Sequence, residues 1–434
     1  MAFQTPSKLS MDKRFFSLFN LTEERAISIL DTPQAQVGQD DSRYIAASHL
    51  VNFPTEPAIQ ALIRAVEQTD PCLENRIVRR KSLETLGRLQ ASQALPTIRL
   101  CLREDDRFTV ENTVWAIGEI GTQDSSLLDE IAQLLTTPEQ TYRVIIHTLA
   151  KLGHQPALEP IRQFVDHPEP PIASAARAAI CRLTGDTTPM PQVVAFLQHP
   201  NVMARCLAIQ DLIDARYYDA IPAIAQCPVS LVFRLRGIRL LAEAGIADGV
   251  LSFETIQPHL EQTLRDHPSD LMLVNRYDHV PDLPLLMREL YDTDFGRCYL
   301  ASQQLLQEHS EEAPEALLAT YQEEAHNDYG AHFHVMKLLG WLKYAPAYDL
   351  LIETLYNREP QFQKSRAAAA IALGELGDQR AIADLKACLE MPIWDLQYAA
   401  LMALQQLGDT TAAQAITPEH DWLVRAKAAQ FQIV

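Results

Sequence analysis

Apolar residues recur three and four positions apart along most of this chain, which is the spacing that places them on one face of an α-helix. In the stretch NTVWAIGEIG, Val114, Ile117 and Ile120 form such a stripe. Trp115 and Glu119 lie off the stripe and one helical turn apart, where an ordinary surface helix carries solvated side chains. The pattern therefore predicts a helix with one packed face and one chemically distinctive face.

The same helix ending returns at a regular interval. Gly121, Gly153 and Gly185 are 32 residues apart, and glycine commonly ends a helix. Repetition at this period is typical of solenoids built from two-helix units. The recurring endings are LGRL from Leu86, IGEIG from Ile117, LAKLG from Leu149, LAEAG from Leu241, LGELGD from Leu373 and LQQLGD from Leu404.

A second helix lies between these endings, with prolines at 96, 160 and 222 in its first turn, where a missing N–H does no harm. This two-helix unit resembles the HEAT repeat in its phycobilisome-lyase-like form, and SRAAAAIALGELGD from Ser365 is close to that consensus. The predicted fold is therefore all-α, a right-handed α/α superhelical solenoid of HEAT-like repeats.

The repeat pattern is strong in some parts of the chain and weak in others, and this variation predicts four segments. Residues 1–40 are expected to form an N-terminal capping segment, and residues 41–245 a set of HEAT-like repeats. The pattern decays over residues 246–292, which are interpreted as a divergent repeat or a lid, and it returns over 293–434.

Composition narrows the functional classes. The chain has 434 residues with few glycines (15) and 7% aromatic residues, which suits stacked helices. Its formal charge of −19 argues against binding to nucleic acid or anionic membranes. The seven cysteines form no CxxC pair, and no apolar run reaches membrane-spanning length. A cytoplasmic protein that does not insert into membranes is expected.

In HEAT-like repeats the helix that carries the glycine ending lines the concave side, so its off-stripe positions form an inner face. Arginines at the repeat's VR position (79, 205, 234 and 366) are instead expected to form ion pairs between repeats. The inner-face candidates are Arg80, Glu84, Arg88, Glu111, Trp115, Glu119, Arg143, His147, Arg236 and Arg239.

Several longer phrases resemble the E/F-type phycobilin lyases: NRIVRRKSLETLGRL from Asn75, TVENTVWAIGEIGTQD from Thr109 and LVFRLRGIRLLAEAG from Leu231. The length and the opening MDKRFFSLFNLTEERAISILDTP are most similar to the large single-chain phycoerythrin type, the CpeY and MpeZ kind. The resemblance implies an enzyme that joins a linear tetrapyrrole (a bilin) to a cysteine of a phycobiliprotein through a thioether. Phycoerythrobilin and the apo-α subunit of phycoerythrin are the implied substrates.

The inner-face residues fit such a ligand. The two propionates of a bilin call for cations, for which Arg80, Arg88, Arg143, Arg236 and Arg239 are candidates. Its pyrrole N–H groups suit a carboxylate such as Glu84, and its flat conjugated system suits stacking on an indole. The acceptor's thiolate is the nucleophile, so the lyase needs an acid rather than its own cysteine. The candidates for the catalytic acid are Glu119, Glu111 and His147, with no metal and no cofactor besides the bilin substrate.

Three alternatives stay open. Some relatives also isomerise phycoerythrobilin to phycourobilin, and a second lyase or chaperone chain is a potential partner. Solenoids are often binding scaffolds, so a non-catalytic chaperone for the apo-phycobiliprotein or the bilin is the competing function.

Overall fold

The computed structural model describes residues 21–38, 41–409 and 411–431. Within these ranges the chain forms α-helices and short 3-10 helices and contains no β-strand. The first 20 residues of the predicted capping segment lie outside the described residues. The chain divides into two compact units, Met1–Thr188 and Pro189–Val434. The predicted boundaries at residues 245 and 292 remain predictions.

Unit 1 is a stack of short antiparallel helix pairs. Consecutive helices α3 and α4, α5 and α6, α7 and α8, and α9 and α10 pack as pairs, and each pair packs on the next. The helices are α1 (Glu23–Asp31), α2 (Arg43–His49), α3 (Glu56–Glu67), α4 (Leu73–Arg88), α5 (Leu95–Leu100), α6 (Arg107–Ile120), α7 (Ser125–Gln133), α8 (Tyr142–Lys151), α9 (Leu158–Arg162) and α10 (Pro170–Thr184).

Unit 2 continues the helix-pair pattern. Its divergent stretch, residues 246–292, contains two helices joined by an extended loop over 271–282. The helices are α11 (Met190–Ala195), α12 (Val202–Asp214), α13 (Ile221–Ala225), α14 (Leu231–Ala247), α15 (Phe253–Arg265), α16 (Leu283–Glu289), α17 (Phe295–Glu308), α18 (Ala313–Glu323), α19 (Tyr329–Trp341), α20 (Tyr348–Tyr356), α21 (Gln363–Leu376), α22 (Ile382–Cys388), α23 (Trp394–Gln406) and α24 (Trp422–Gln430).

The second helices of successive pairs form an inner row, which is α4, α6, α8 and α10 in unit 1. Small residues let these helices approach closely. A methyl group added at Gly87 would lie 2.9 Å from the Cα of Ala116, and one at Gly118 would lie 3.0 Å from Thr148 Oγ1. These close approaches allow neighbouring helices of the row to pack directly on one another. The described helices therefore form the predicted α-solenoid, and none is both long and apolar enough to cross a membrane.

The arginines at the VR position are buried, and three of the four form ion pairs with another repeat. Arg79 donates to the carbonyl of Val66 and pairs with Glu104, and Arg234 pairs in the same way with Asp266. Arg205 pairs with Asp294. The predicted ion pairs are confirmed at these three positions. Arg366 is buried as well, but its Nε donates to the carbonyl of Leu355 at 2.9 Å instead.

Within unit 2, α14 and α15 make polar contacts with the last two helices. Lys427 Nζ lies 2.8 Å from Glu261 Oε1, and the side-chain amides of Gln257 and Gln430 are 2.6 Å apart. The Trp422 indole N–H donates to Glu243 at 3.1 Å. The last helix consequently covers part of the surface of α14 and α15.

Candidate functional site

The inner face of α4 carries three predicted site residues, and each is ion-paired. Arg80 donates to Asp106, the residue before α6, at 2.6 Å, and its guanidinium lies 5.0 Å from the ring centroid of Phe108. Glu84 accepts from Lys81 at 2.5 Å and from Arg88 at 2.9 Å. A propionate that binds here competes with these carboxylates.

The inner face of α6 carries Glu111, Trp115 and Glu119 on successive turns. Trp115 is half-buried, and its ring lies against Gly87 of α4, where the missing Cβ leaves room for it. Glu119 pairs with Lys151 of α8 at 2.7 Å and remains about one-third exposed. The inner face of α6 thus carries three groups in order: the Glu111 carboxylate, the Trp115 indole one turn later, and the Glu119 carboxylate one turn after the indole.

The inner face of α8 lies beside that of α6. Thr141, just before α8, donates to Glu111 at 3.1 Å. Arg143 is half-buried and donates to the carbonyl of Pro171 at 2.6 Å, and His147 follows it by one turn. The structure therefore brings eight of the ten predicted residues onto neighbouring inner helices of unit 1.

The other two predicted residues belong to α14 in unit 2. Arg236 is exposed and donates to Gln210 Oε1 at 2.7 Å. Arg239 pairs with Asp421 at 2.6 Å and lies 4.8 Å from the ring centroid of Trp394. The Arg239 guanidinium is thus already paired within unit 2, whereas the Arg236 side chain is accessible to solvent.

A cavity in unit 2 was missed by the sequence-based reasoning. It has a volume of about 510 Å³, within the range of roughly 300 to 1,000 Å³ that is usual for small-molecule pockets. Its walls are formed by the first turns of six helices: α12, α14, α17, α19, α21 and α23. Its lining includes the side chains of Phe233, Phe295, Tyr329, Lys364, Asp395 and Cys206.

Lys364 is the unusual group of this unit-2 cavity. The residue is only 9% exposed, and its ammonium lies 4.2 Å from the ring centroid of Phe295, 4.7 Å from that of Tyr329 and 5.0 Å from that of Phe333. Among the described residues it forms no hydrogen bond or ion pair. Burial lowers the pKa of Lys364 from 10.5 to about 8, because the charged form is poorly solvated there.

Two further ionisable groups line the cavity. Burial raises the pKa of Asp395, which is the second residue of α23. Burial also raises the pKa of the Cys206 thiol to about 11, which keeps it protonated and poorly nucleophilic near neutral pH. The described residues contain no cluster of three His, Cys, Asp or Glu side chains that could hold a metal ion.

A sequence signal for the cavity exists in hindsight. Aromatic residues recur in the first turn of four helices around the cavity, at Phe233, Phe295, Tyr329 and Trp394, and Phe108 holds the same position in α6. The sequence-based search followed the later turns of these helices, which carry the off-stripe charges, so it passed over their amino-terminal ends.

Comparison with known proteins gives several matches. A family model described as HEAT repeats matches residues 349–431. The "Uncharacterized phycocyanin operon protein Y" of Pseudanabaena tenuis is 61% identical over 96% of this chain and 99% of that protein. The "Bilin biosynthesis protein CpeY" of a Synechococcus strain is 33% identical over 85% of this chain and 90% of that protein. The "Phycocyanobilin lyase subunit alpha" of Thermosynechococcus vestitus is 32% identical over 46% of this chain and 80% of that protein.

These matches span nearly the full length of two relatives and most of the third. This chain belongs to the E/F-type bilin lyases and, among them, to the CpeY type. The resemblance found in the sequence, the HEAT-repeat solenoid and the lyase class are confirmed.

Proposed function

We propose that this chain attaches a linear tetrapyrrole to a cysteine of a phycobiliprotein subunit through a thioether, with phycoerythrobilin as the bilin and the α subunit of phycoerythrin as the acceptor. The observation that carries the proposal is the inner face of α6, where Glu111, Trp115 and Glu119 lie on successive turns beside Arg143 of α8. A stacking surface flanked by carboxylates and a cation is complementary to a flat ligand with propionates and ring N–H groups.

The reaction is an addition. The acceptor's thiolate sulfur forms a bond to the ethylidene carbon of ring A, the exocyclic C=C becomes a single bond, and the adjacent ring carbon takes up a proton. No atom leaves, so the enzyme must hold the two reactants together and supply the proton.

The three acidic candidates suit different tasks. Glu119 pairs with Lys151 at 2.7 Å, so its carboxylate already faces one cation, and it suits the role of counter-ion to a protonated bilin. Glu111, which accepts a hydrogen bond from Thr141, and His147 are the proton donors to test. All three roles are proposals.

Which phycobiliprotein accepts the bilin must be tested directly. The relative with 61% identity is named after a phycocyanin operon, whereas the phycoerythrin type was inferred from the length and opening of the chain. Another relative is named as a lyase subunit, so the need for a partner chain must be tested as well.

The test is co-expression of this chain with a bilin-producing pathway and one apo-subunit at a time: phycoerythrin α, phycoerythrin β, phycocyanin α or phycocyanin β. Zinc-induced fluorescence of the denatured subunit reports covalent attachment. Phycoerythrin α is expected to become fluorescent and the other subunits to stay dark. Fluorescence of a phycocyanin subunit alone would change the acceptor. No fluorescence with any subunit, whether or not a second lyase chain is co-expressed, would reject the proposal.

The colour of the product decides whether isomerisation accompanies attachment. A shorter conjugated system absorbs further to the blue, so an absorbance spectrum of the purified subunit separates phycourobilin from phycoerythrobilin. The competing chaperone function predicts bilin or apo-subunit bound to this chain with no covalent product.

A further inference from the structure

We propose that the unit-2 cavity is a binding site for a planar, largely apolar carboxylate, and that the ammonium of Lys364 pairs with the carboxylate group. The identity of the ligand rests on the function proposed above: the carboxylate is a propionate of the bilin. The site itself rests on the geometry of unit 2.

The first argument is the state of Lys364. A lysine ammonium has three donors, and a buried cation is normally ion-paired or hydrogen-bonded. The ring faces of Phe295, Tyr329 and Phe333 attract the positive charge, but they supply no oxygen acceptor. A charge held in an aromatic cage at the wall of an open cavity is therefore complementary to an anion that comes from outside the chain.

The second argument is the position of the cavity in the fold. The amino-terminal ends of six helices meet there, and each end carries a partial positive charge from the helix dipole. Three of these helices, α14, α21 and α23, have no side-chain cap on their first turn. The other three are capped by Asn201, Asp294 and Asp328, so it is the three uncapped ends that add to the attraction of Lys364 for an anion.

The third argument is the chemistry of the walls. Phe233, which is 45% exposed, and Tyr329, which is 53% exposed, offer ring surface to a flat conjugated ligand. Asp395 is the one acidic side chain on the wall among the described residues. A carboxyl group there suits ring N–H donors rather than a second carboxylate. A ligand with a propionate at one place and pyrrole N–H groups at another satisfies Lys364 and Asp395 together.

The test uses biliverdin and its dimethyl ester, which share the tetrapyrrole and differ in the two propionate charges. Absorption titrations with the full-length protein are expected to give tighter binding of the free acid than of the ester, by about ten- to a hundredfold. Lys364→Met should reduce that preference, whereas Lys364→Arg should preserve more of it than the methionine does. The matched control is Lys386→Met, which removes an exposed lysine paired with Asp409 and should leave both affinities unchanged.

A second measurement excludes simple misfolding. If the role of Lys364 is to bind a ligand, its buried charge destabilises the ligand-free protein. Lys364→Met, which replaces the charge with an apolar side chain of similar length, should then raise the thermal unfolding midpoint of the ligand-free protein. A lower midpoint for Lys364→Met would instead make the lysine structural and would overturn the proposal. Equal affinity of the wild type for acid and ester, or an unchanged preference in Lys364→Met, would overturn it as well.

This inference and the proposed function fail in distinguishable ways. Covalent attachment with no dependence of binding on Lys364 would remove the inference and leave the lyase function intact. Binding of biliverdin that depends on Lys364, without attachment to any subunit, would support the site and reject the reaction.

Discussion

At the scale of single residues, the inner face of unit 1 is a chain of contacts between neighbouring repeats. Arg80 pairs with Asp106, and Glu119 with Lys151. Such partly exposed pairs typically contribute about 0.2 to 1 kcal/mol to stability, so substitutions that remove one charge should leave the fold intact. Changes in binding or attachment can then be assigned to the site.

Glu119→Gln and Trp115→Ala should separate catalysis from binding. The glutamine keeps the shape of Glu119 but loses the charge that favours a protonated bilin, so attachment should slow much more than binding weakens. The alanine removes a stacking surface and should weaken binding first. Attachment rates at saturating bilin, with circular dichroism as the check on folding, test both variants. A normal rate for Glu119→Gln would exclude Glu119 as the counter-ion of the protonated bilin.

Arg143→Ala and Arg236→Ala test the predicted propionate contacts. Loss of a charge-assisted contact costs about 1.5 to 3 kcal/mol, which is roughly ten- to a hundredfold in bilin affinity by absorption titration. Arg366 is a poor control because it is buried and donates to a backbone carbonyl. Arg162→Ala in unit 1 and Arg380→Ala in unit 2 remove exposed, ion-paired arginines instead. Equal losses in site and control variants would show that these arginines do not contact the ligand.

At the scale of helices, glycine sets the spacing of the inner row. A methyl group at Gly340 of α19 would lie 2.6 Å from the Cα of Ala372 in α21. Gly340→Ala should therefore lower the free energy of unfolding by roughly 1 to 3 kcal/mol, although alanine favours helix formation. A methyl group at Gly330 of the same helix would meet the Asp328 side chain at 3.3 Å and no backbone atom closer than 4.0 Å, so Gly330→Ala should change stability less than Gly340→Ala. Urea denaturation measures both, and equal stabilities would contradict the close packing.

Lys364 should make the stability of unit 2 depend on pH. Its pKa is about 8 in the folded protein and 10.5 in the unfolded chain, so the cost of burying the charge is fully present below pH 8. The cost disappears as the pH rises towards 10.5, because the folded state releases the proton first. The other ionisable groups near the ammonium are Cys298, Asp266, Asp328, His332, His334 and Asp395.

Lys364→Met isolates this contribution. The stability gained by the variant over the wild type should have a pH-dependent part of roughly 3 kcal/mol below pH 8, which declines towards zero near pH 10.5. Urea denaturation at several pH values between 6 and 10 measures the difference. A difference that does not change with pH would contradict the placement of Lys364 as a buried, unpaired cation.

The repeat made the helices and the inner row predictable, because glycine endings and apolar spacing are local features of the sequence. The partners of the predicted site residues were not predictable. Arg239 contacts Asp421 and Trp394 across more than 150 residues, and such distances close only when the repeats stack. The aromatic first turns around the unit-2 cavity are visible in the sequence, but the six helix ends come together only in the folded unit.

At the scale of the whole molecule, the two units carry different chemistry. Unit 1 presents an indole, carboxylates and arginines on neighbouring inner helices, and unit 2 holds a caged lysine at a cavity. The chain carries a net charge of −19, so the specific cations on the inner face and in the cavity, rather than a general positive field, must recognise an anionic ligand. A polar, low-affinity surface would suffice for a chaperone, whereas these groups fit a defined small molecule.

The most direct test of the lyase reaction is the mass of the acceptor subunit after incubation with bilin, with and without this purified chain. Addition without a leaving group predicts that denatured phycoerythrin α gains the full mass of one bilin per attachment site, and that it does so faster when the chain is present. The same rate without the chain, or a bilin that separates from the subunit on denaturation, would contradict the account.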